Sequence, residues 1–101
     1  MITISVMYPE GEGATFDMDY YMNTHMPLVD KHVGHVLKGK TVLQGVAGGA
    51  PGSSAPYRVM AMLQLGSMAD LEEFGKNAGP LMADVPNFTN ITPSMQVSEV
   101  K

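Results

Sequence analysis

"YRVMAMLQLG", residues 57–66, alternates as a β-strand does, yet neither of its faces is polar. Tyr57, Val59, Ala61, Leu63 and Leu65 fall on one side, and Arg58, Met60, Met62 and Gln64 on the other. Side chains two apart share a face of a strand, so both sides of this one are expected to be at least partly covered. A chain of 101 residues makes one domain with one core, and its helices can cover only one face of a sheet. A second copy of the chain is the simplest cover for the other. The composition agrees, with 45% of residues apolar and only 16% charged, short of the usual quarter. So little polar surface calls for apolar surface to be hidden by association.

The flanking segments build outward from that strand. "ITISVMYP", residues 2–9, sets Ile2, Ile4 and Val6 against Thr3, Ser5 and Met7, a strand with one strongly apolar face. Pro9, Gly11 and Gly13 mark a loop. Asp17 is an N-cap candidate. Met18, Tyr21, Met22 and His25 follow at i, i+3, i+4 and i+7, on one face of a helix. Pro27 is expected to end that helix, since it lacks the N–H that would bond the Asn23 carbonyl and pushes Met26 out of the helical region. Residues 28–33 read as a second short turn led by Pro27.

"TVLQGVAGGA", residues 41–50, reads as a strand with a glycine-rich end, and "PGSSAP", 51–56, as a turn. "SMAD", 67–70, resembles a capping box with Asp70 for the usual Glu. It opens a helix with Met68, Leu71 and Phe74 on one side, and Pro80 restarts it through "LMADV". Residues 87–92 read as a polar turn, and "SMQVSEV", 94–100, as a last strand. The order β-α-β-β-α-β predicts a ferredoxin-like α+β fold in a single domain, residues 1–101, with a four-stranded antiparallel sheet and two helices on one face. Two such sheets face to face give a homodimer.

Several function classes drop out. Net charge is −4 and the six Lys and Arg are scattered, so no nucleic-acid footprint exists. There is no cysteine for disulfide, thiolate or Cys-based metal chemistry. No apolar run is long enough to cross a membrane and the first residues do not read as a signal peptide, so a cytoplasmic location is expected. His25, His32, His35 and Asp30 lie close in sequence, but with Gly34 and Pro27 among them they lack a metal-binding pattern. The glycine clusters at 11–13 and 45–52 do not open a helix as a phosphate-binding loop does. No nucleotide or other cofactor is therefore expected of this chain.

"FDMDYYMNTHMPLV", residues 16–29, resembles the signature of the EthD family. The family pattern, Phe-Asp, two residues, Tyr-Tyr, three residues, His, one residue, Pro-Leu, is met by Phe16, Asp17, Tyr20, Tyr21, His25, Pro27 and Leu28. "LMADVPNFTNITPSMQVSEV" is similar to the family's C-terminal helix, Pro-Asn-Phe turn and edge strand, so the resemblance spans nearly the whole chain. It implies a dimeric α+β barrel with a ligand cavity between helices and sheet. The family is named for ethyl tert-butyl ether degradation, and its members are often labelled reductases. Related barrels include cofactor-free monooxygenases, muconolactone isomerases and polyketide cyclases. The resemblance thus implies a small cofactor-independent oxidoreductase, isomerase or cyclase. Its substrate would be a small apolar molecule, aromatic, polyketide-type or ether-derived. The other reading is a non-catalytic binder of such a molecule, or an accessory subunit of a degradation pathway.

His25 is the leading candidate for chemistry. At the expected helix end it can accept a proton from an activated carbon or phenol, or it can bond a loose backbone carbonyl and do nothing more. Tyr21, one turn earlier, and Tyr20 are candidates for holding a developing oxyanion or for plain packing. Asp17 reads as a cap or as a substrate contact, and Met22, Asn23, Met62 and Phe74 complete the expected substrate-binding set. The ten methionines read mainly as core or interface, since methionine fills irregular gaps.

Overall fold

The computed structural model describes residues 1–101. Four strands, β1 (Ile2–Pro9), β2 (Leu37–Gln44), β3 (Tyr57–Leu65) and β4 (Ser94–Glu99), form one antiparallel sheet in the order β2-β3-β1-β4. Helices α1 (Met18–Tyr20) and α2 (Met26–Val33) stand between β1 and β2, and α3 (Met68–Asn77) and α4 (Gly79–Asp84) between β3 and β4. This is the ferredoxin-like α+β arrangement, with the second helix in two pieces.

The alternation sorts the sheet cleanly. Ile2, Ile4 and Tyr8 on β1 and Val59, Leu63 and Leu65 on β3 are buried beneath the helices with Val29, Val33, Phe74 and Leu81. The opposite face is not covered by any element of the chain. Register places Leu43 beside Met60 and Met60 beside Met7, so one apolar row crosses β2, β3 and β1 there. Met62 lies in the next row, opposite Ser5, whose hydroxyl donates to its sulfur at 3.2 Å. The rest of that face is polar, with Thr3, Thr41 and Gln64 on it.

Three expectations are revised. The first helix does not end at Pro27. It passes through a π-helical turn, Tyr21–His25, and continues as α2 with Pro27 in its first turn. Met26 keeps helical angles, φ −64 and ψ −39, and its N–H reaches back five residues to the Tyr21 carbonyl. A proline in a regular α-helix strands one carbonyl and clashes with it. Widening the turn by one residue relieves both.

Strand β2 runs from Leu37 to Gln44, starting before the expected 41–50 segment and ending short of its glycine-rich part, with Gly39 at a register shift near its start. A Cβ on Gly39 would lie 3.0 Å from Oε1 of Gln64, the movable end of an exposed side chain. At α3, Ser67 caps by accepting from the Asp70 N–H, but Asp70 returns its bond to the Gly66 N–H, one residue before the cap. It is a displaced capping box.

Candidate functional site

His25 sits on the π-helical turn with its side chain 7% exposed. Its Nδ1 lies 2.9 Å from Oδ2 of Asp84, the last residue of α4. The other oxygen of Asp84 accepts from Tyr20 Oη at 2.7 Å and from Asn87 Nδ2 at 3.0 Å. Burial works to raise the Asp84 carboxyl, but the bonds from Asn87, His25 and Tyr20 outweigh it and hold the group below the usual carboxylate range. An ionised carboxylate can only accept. His25 Nδ1 therefore carries a proton, and in the neutral ring Nε2 presents the lone pair. Tyr20 is raised above an ordinary phenol, chiefly because it donates to this carboxylate.

Residues from both ends of the chain meet here because the segment after α4 is pinned to the loop before α1. The Asp17 N–H donates to the Phe88 carbonyl at 2.7 Å, and Phe16 pairs with Thr89 as an isolated antiparallel bridge. Buried Thr89 donates to the Thr15 carbonyl. Asn90 accepts from the Thr15 N–H and donates to the Gly13 carbonyl, both at 2.8 Å. Phe88 then inserts among aromatic rings, 5.0 Å from Tyr21 and 4.7 Å from His25 between centroids. The Tyr21 and His25 rings stack at 5.2 Å and 18°.

One side of His25 faces a cavity of about 270 Å³ between α2, α3, α4 and the sheet. Thirteen of its sixteen lining residues are hydrophobic. Tyr8, Tyr21 and His25 bring the polar atoms, and no Lys, Arg, Asp or Glu lines it. Met82 and Met95, 48% and 47% exposed, stand at its mouth.

Of the expected site residues, His25, Tyr21 and Phe74 line this cavity. Tyr20 does not line it and is joined to His25 only through Asp84, which also lies outside the lining. Asp17 caps α1, accepting from the Tyr20 N–H at 3.0 Å. Met22 and Asn23 are exposed, and Met62 lies on the far face of the sheet, so none of the three reaches the cavity. No cluster of His, Asp and Glu is placed to hold a metal ion.

Three participants have no counterpart in the sequence reading, Asp84, Asn87 and Tyr8. A usable signal existed for Asp84, which is the only charged residue between Lys76 and Glu99. A single carboxylate in so apolar a stretch invites a search for its partner. Tyr8 gave no such sign, standing at the end of an ordinary strand.

Solved structures place the chain among known proteins. An EthD-like protein from Ralstonia eutropha JMP134 is 35% identical to it, with a TM-score of 0.88 over 98% of this chain and 90% of that one. The chain belongs to the EthD family. A second EthD protein, from Bacillus halodurans C-125, shares its fold at 19% identity and a TM-score of 0.72, over 100% of this chain and 99% of the other. A dimeric ferredoxin-like protein of unknown function from Jannaschia sp. CCS1 shares the fold more distantly, at 21% identity and a TM-score of 0.55 over 98% of each chain. Neither the family models nor the curated proteins gave a match. In this EthD chain no helix is long and apolar enough to cross a membrane.

Proposed function

We propose that this protein is a small cofactor-independent catalyst in which His25 Nε2 removes a proton from a small apolar substrate. The observation that carries the reading is the division of labour on one imidazole, with Nδ1 committed to Asp84 and the ring lining an apolar cavity. The proton moves from a substrate carbon or hydroxyl to Nε2. The resulting imidazolium keeps its Nδ1–H on the Asp84 carboxylate, which stabilises the positive charge. Tyr20 and Asn87 hold that carboxylate in place and act as positioning residues. Isomerisation is completed when Nε2 returns the proton to another substrate carbon, and cyclisation when the carbanion attacks a second carbonyl of the same molecule and Nε2 returns the proton to the new alkoxide; oxygenation of an electron-rich ring starts from the same anion and takes dioxygen as co-substrate. A dialkyl ether offers no acidic proton, so the chemistry favours a carbonyl compound or phenol over an ether itself.

The working form is a homodimer. The Leu43–Met60–Met7 row on the bare face of the sheet supports this, and the Jannaschia protein of like fold is described as dimeric. A monomer by sedimentation would remove that part.

Proton abstraction can be read without knowing the natural substrate. In deuterated water, α-tetralone and related two-ring ketones should exchange their α-hydrogens faster with the protein present. His25→Gln should still bind them while losing exchange roughly 10²- to 10⁴-fold. Unchanged exchange in that variant overturns catalysis by His25. Binding with no exchange in the wild type favours the ligand-binder reading, which the apolar lining also suits.

A further inference from the structure

Two cavity groups lie outside the His25–Asp84 couple. Tyr8 and Tyr21 are each only 2% exposed, and both line the cavity beside His25. Their rings meet edge to face, 6.2 Å between centroids at 80°. Neither hydroxyl bonds another group of the chain. Yet no buried side-chain oxygen or nitrogen is both unpaired and sealed off, so both hydroxyls open onto cavity space. A buried phenol normally finds a partner. Two unpartnered ones beside a bare imidazole nitrogen, in a cavity with no charged lining, make a recognition site.

We propose that Tyr8 and Tyr21 form a two-donor seat for one oxygen of the ligand, and that the ligand class is a phenol or enolisable ketone of at most two rings. The oxygen lies against the two hydroxyls and the acidic proton faces His25 Nε2. Transfer of that proton leaves a phenolate or enolate on the tyrosines and an imidazolium on Asp84, with nothing else gained or lost. Burial raises both phenols, Tyr21 to about 12, and the neighbouring Tyr21 raises Tyr8 further. Both therefore stay protonated and can donate at neutral pH. The size limit follows from volume. A cavity of roughly 150 Å³ holds benzene, so about 270 Å³ holds one or two rings. A carboxylate-bearing ligand would find no cation here and is disfavoured.

The site rests on the proposed function for its proton acceptor, but the oxygen seat is separable from it. The test uses para-nitrophenol, whose phenolate absorbs in the visible, and its methyl ether para-nitroanisole. Wild-type protein at neutral pH should hold the phenol with an ionised fraction above that of the free compound, and the anisole at least roughly tenfold more weakly, as expected for loss of a charge-assisted bond. Tyr8→Phe and Tyr21→Phe keep the rings and should each weaken phenol binding roughly tenfold to hundredfold, with little effect on the anisole. Absence of phenol binding, or equal affinity for the two compounds, overturns the seat, and neither needs a variant to fold. If His25→Gln abolishes ionisation while both Phe variants bind as wild type, the base stands and the seat falls. If the phenol preference depends on the tyrosines but the bound ligand is neutral with or without His25, the seat stands and proton transfer falls.

Discussion

Asp84→Asn is the most informative single change. The carboxylate accepts from His25, Tyr20 and Asn87 at 2.9, 2.7 and 3.0 Å. Asparagine keeps one acceptor and brings an NH2. If its oxygen stays with Tyr20 and Asn87, its NH2 faces His25 Nδ1. Two donors cannot face each other, so the imidazole must move its proton to Nε2 and ceases to be a base toward the cavity. A hydrogen bond to a charged group contributes about 1.5–3 kcal/mol and a neutral one about 1.

Replacing the charged acceptor, discounted for the part-exposed Tyr20 and Asn87 sides, should cost about 2 kcal/mol. For a domain of this length that lowers Tm by about 10 °C. His25→Gln should cost about 1–2 kcal/mol. The double variant should cost less than the sum by about 1 kcal/mol, because the two residues share one interaction. Urea unfolding of the four proteins gives the cycle. Additivity within about 0.3 kcal/mol, or Asp84→Asn as stable as the wild type, would refute the coupling of His25 to Asp84.

Other outcomes follow from the same geometry. Pro27→Ala should change stability by less than about 1 kcal/mol, because the π-helical turn already accommodates the ring; a gain near 3 kcal/mol would mean that Pro27 strains a helix interior. Phe88→Ala removes the ring wedged against Tyr21 and His25 and should cost about 3–5 kcal/mol by denaturation. Acid titration should expose Asp84. Its folded value lies below the ordinary one near 3.8, so its contribution is complete above that range and is lost as pH falls through the depressed value. The acid limb of Tm against pH should accordingly be shallower in Asp84→Asn, and an identical limb would contradict the assignment.

The strands were legible because the period of two is a direct record of burial. Val59, Leu63 and Leu65 on β3 read as core and are core. Apolar side chains on the other face of β3 read as covered, and there the chain alone leaves Met60 and Met62 partly exposed. The helix around Pro27 misled because proline rules describe the α-helix, and the chain uses a wider turn that those rules do not cover. Half of the candidate site was readable. His25 and Tyr21 stand in one short motif, whereas Asp84 reaches His25 only through the clamp of Thr89 and Asn90 on the loop before α1. Contacts made by a docked turn leave no local periodicity. Tyr8 is invisible for a related reason, since a strand tyrosine facing a core and one facing a cavity have the same pattern.

The long-range proton–nitrogen NMR spectrum of His25 in the wild-type protein, assigned by its loss in His25→Gln, bears most directly on the whole account. The structure requires the neutral ring to carry its proton on Nδ1, bonded to Asp84, with Nε2 bare toward the cavity. A pattern with the proton on Nε2 would leave the cavity without a proton acceptor and contradict the proposed chemistry.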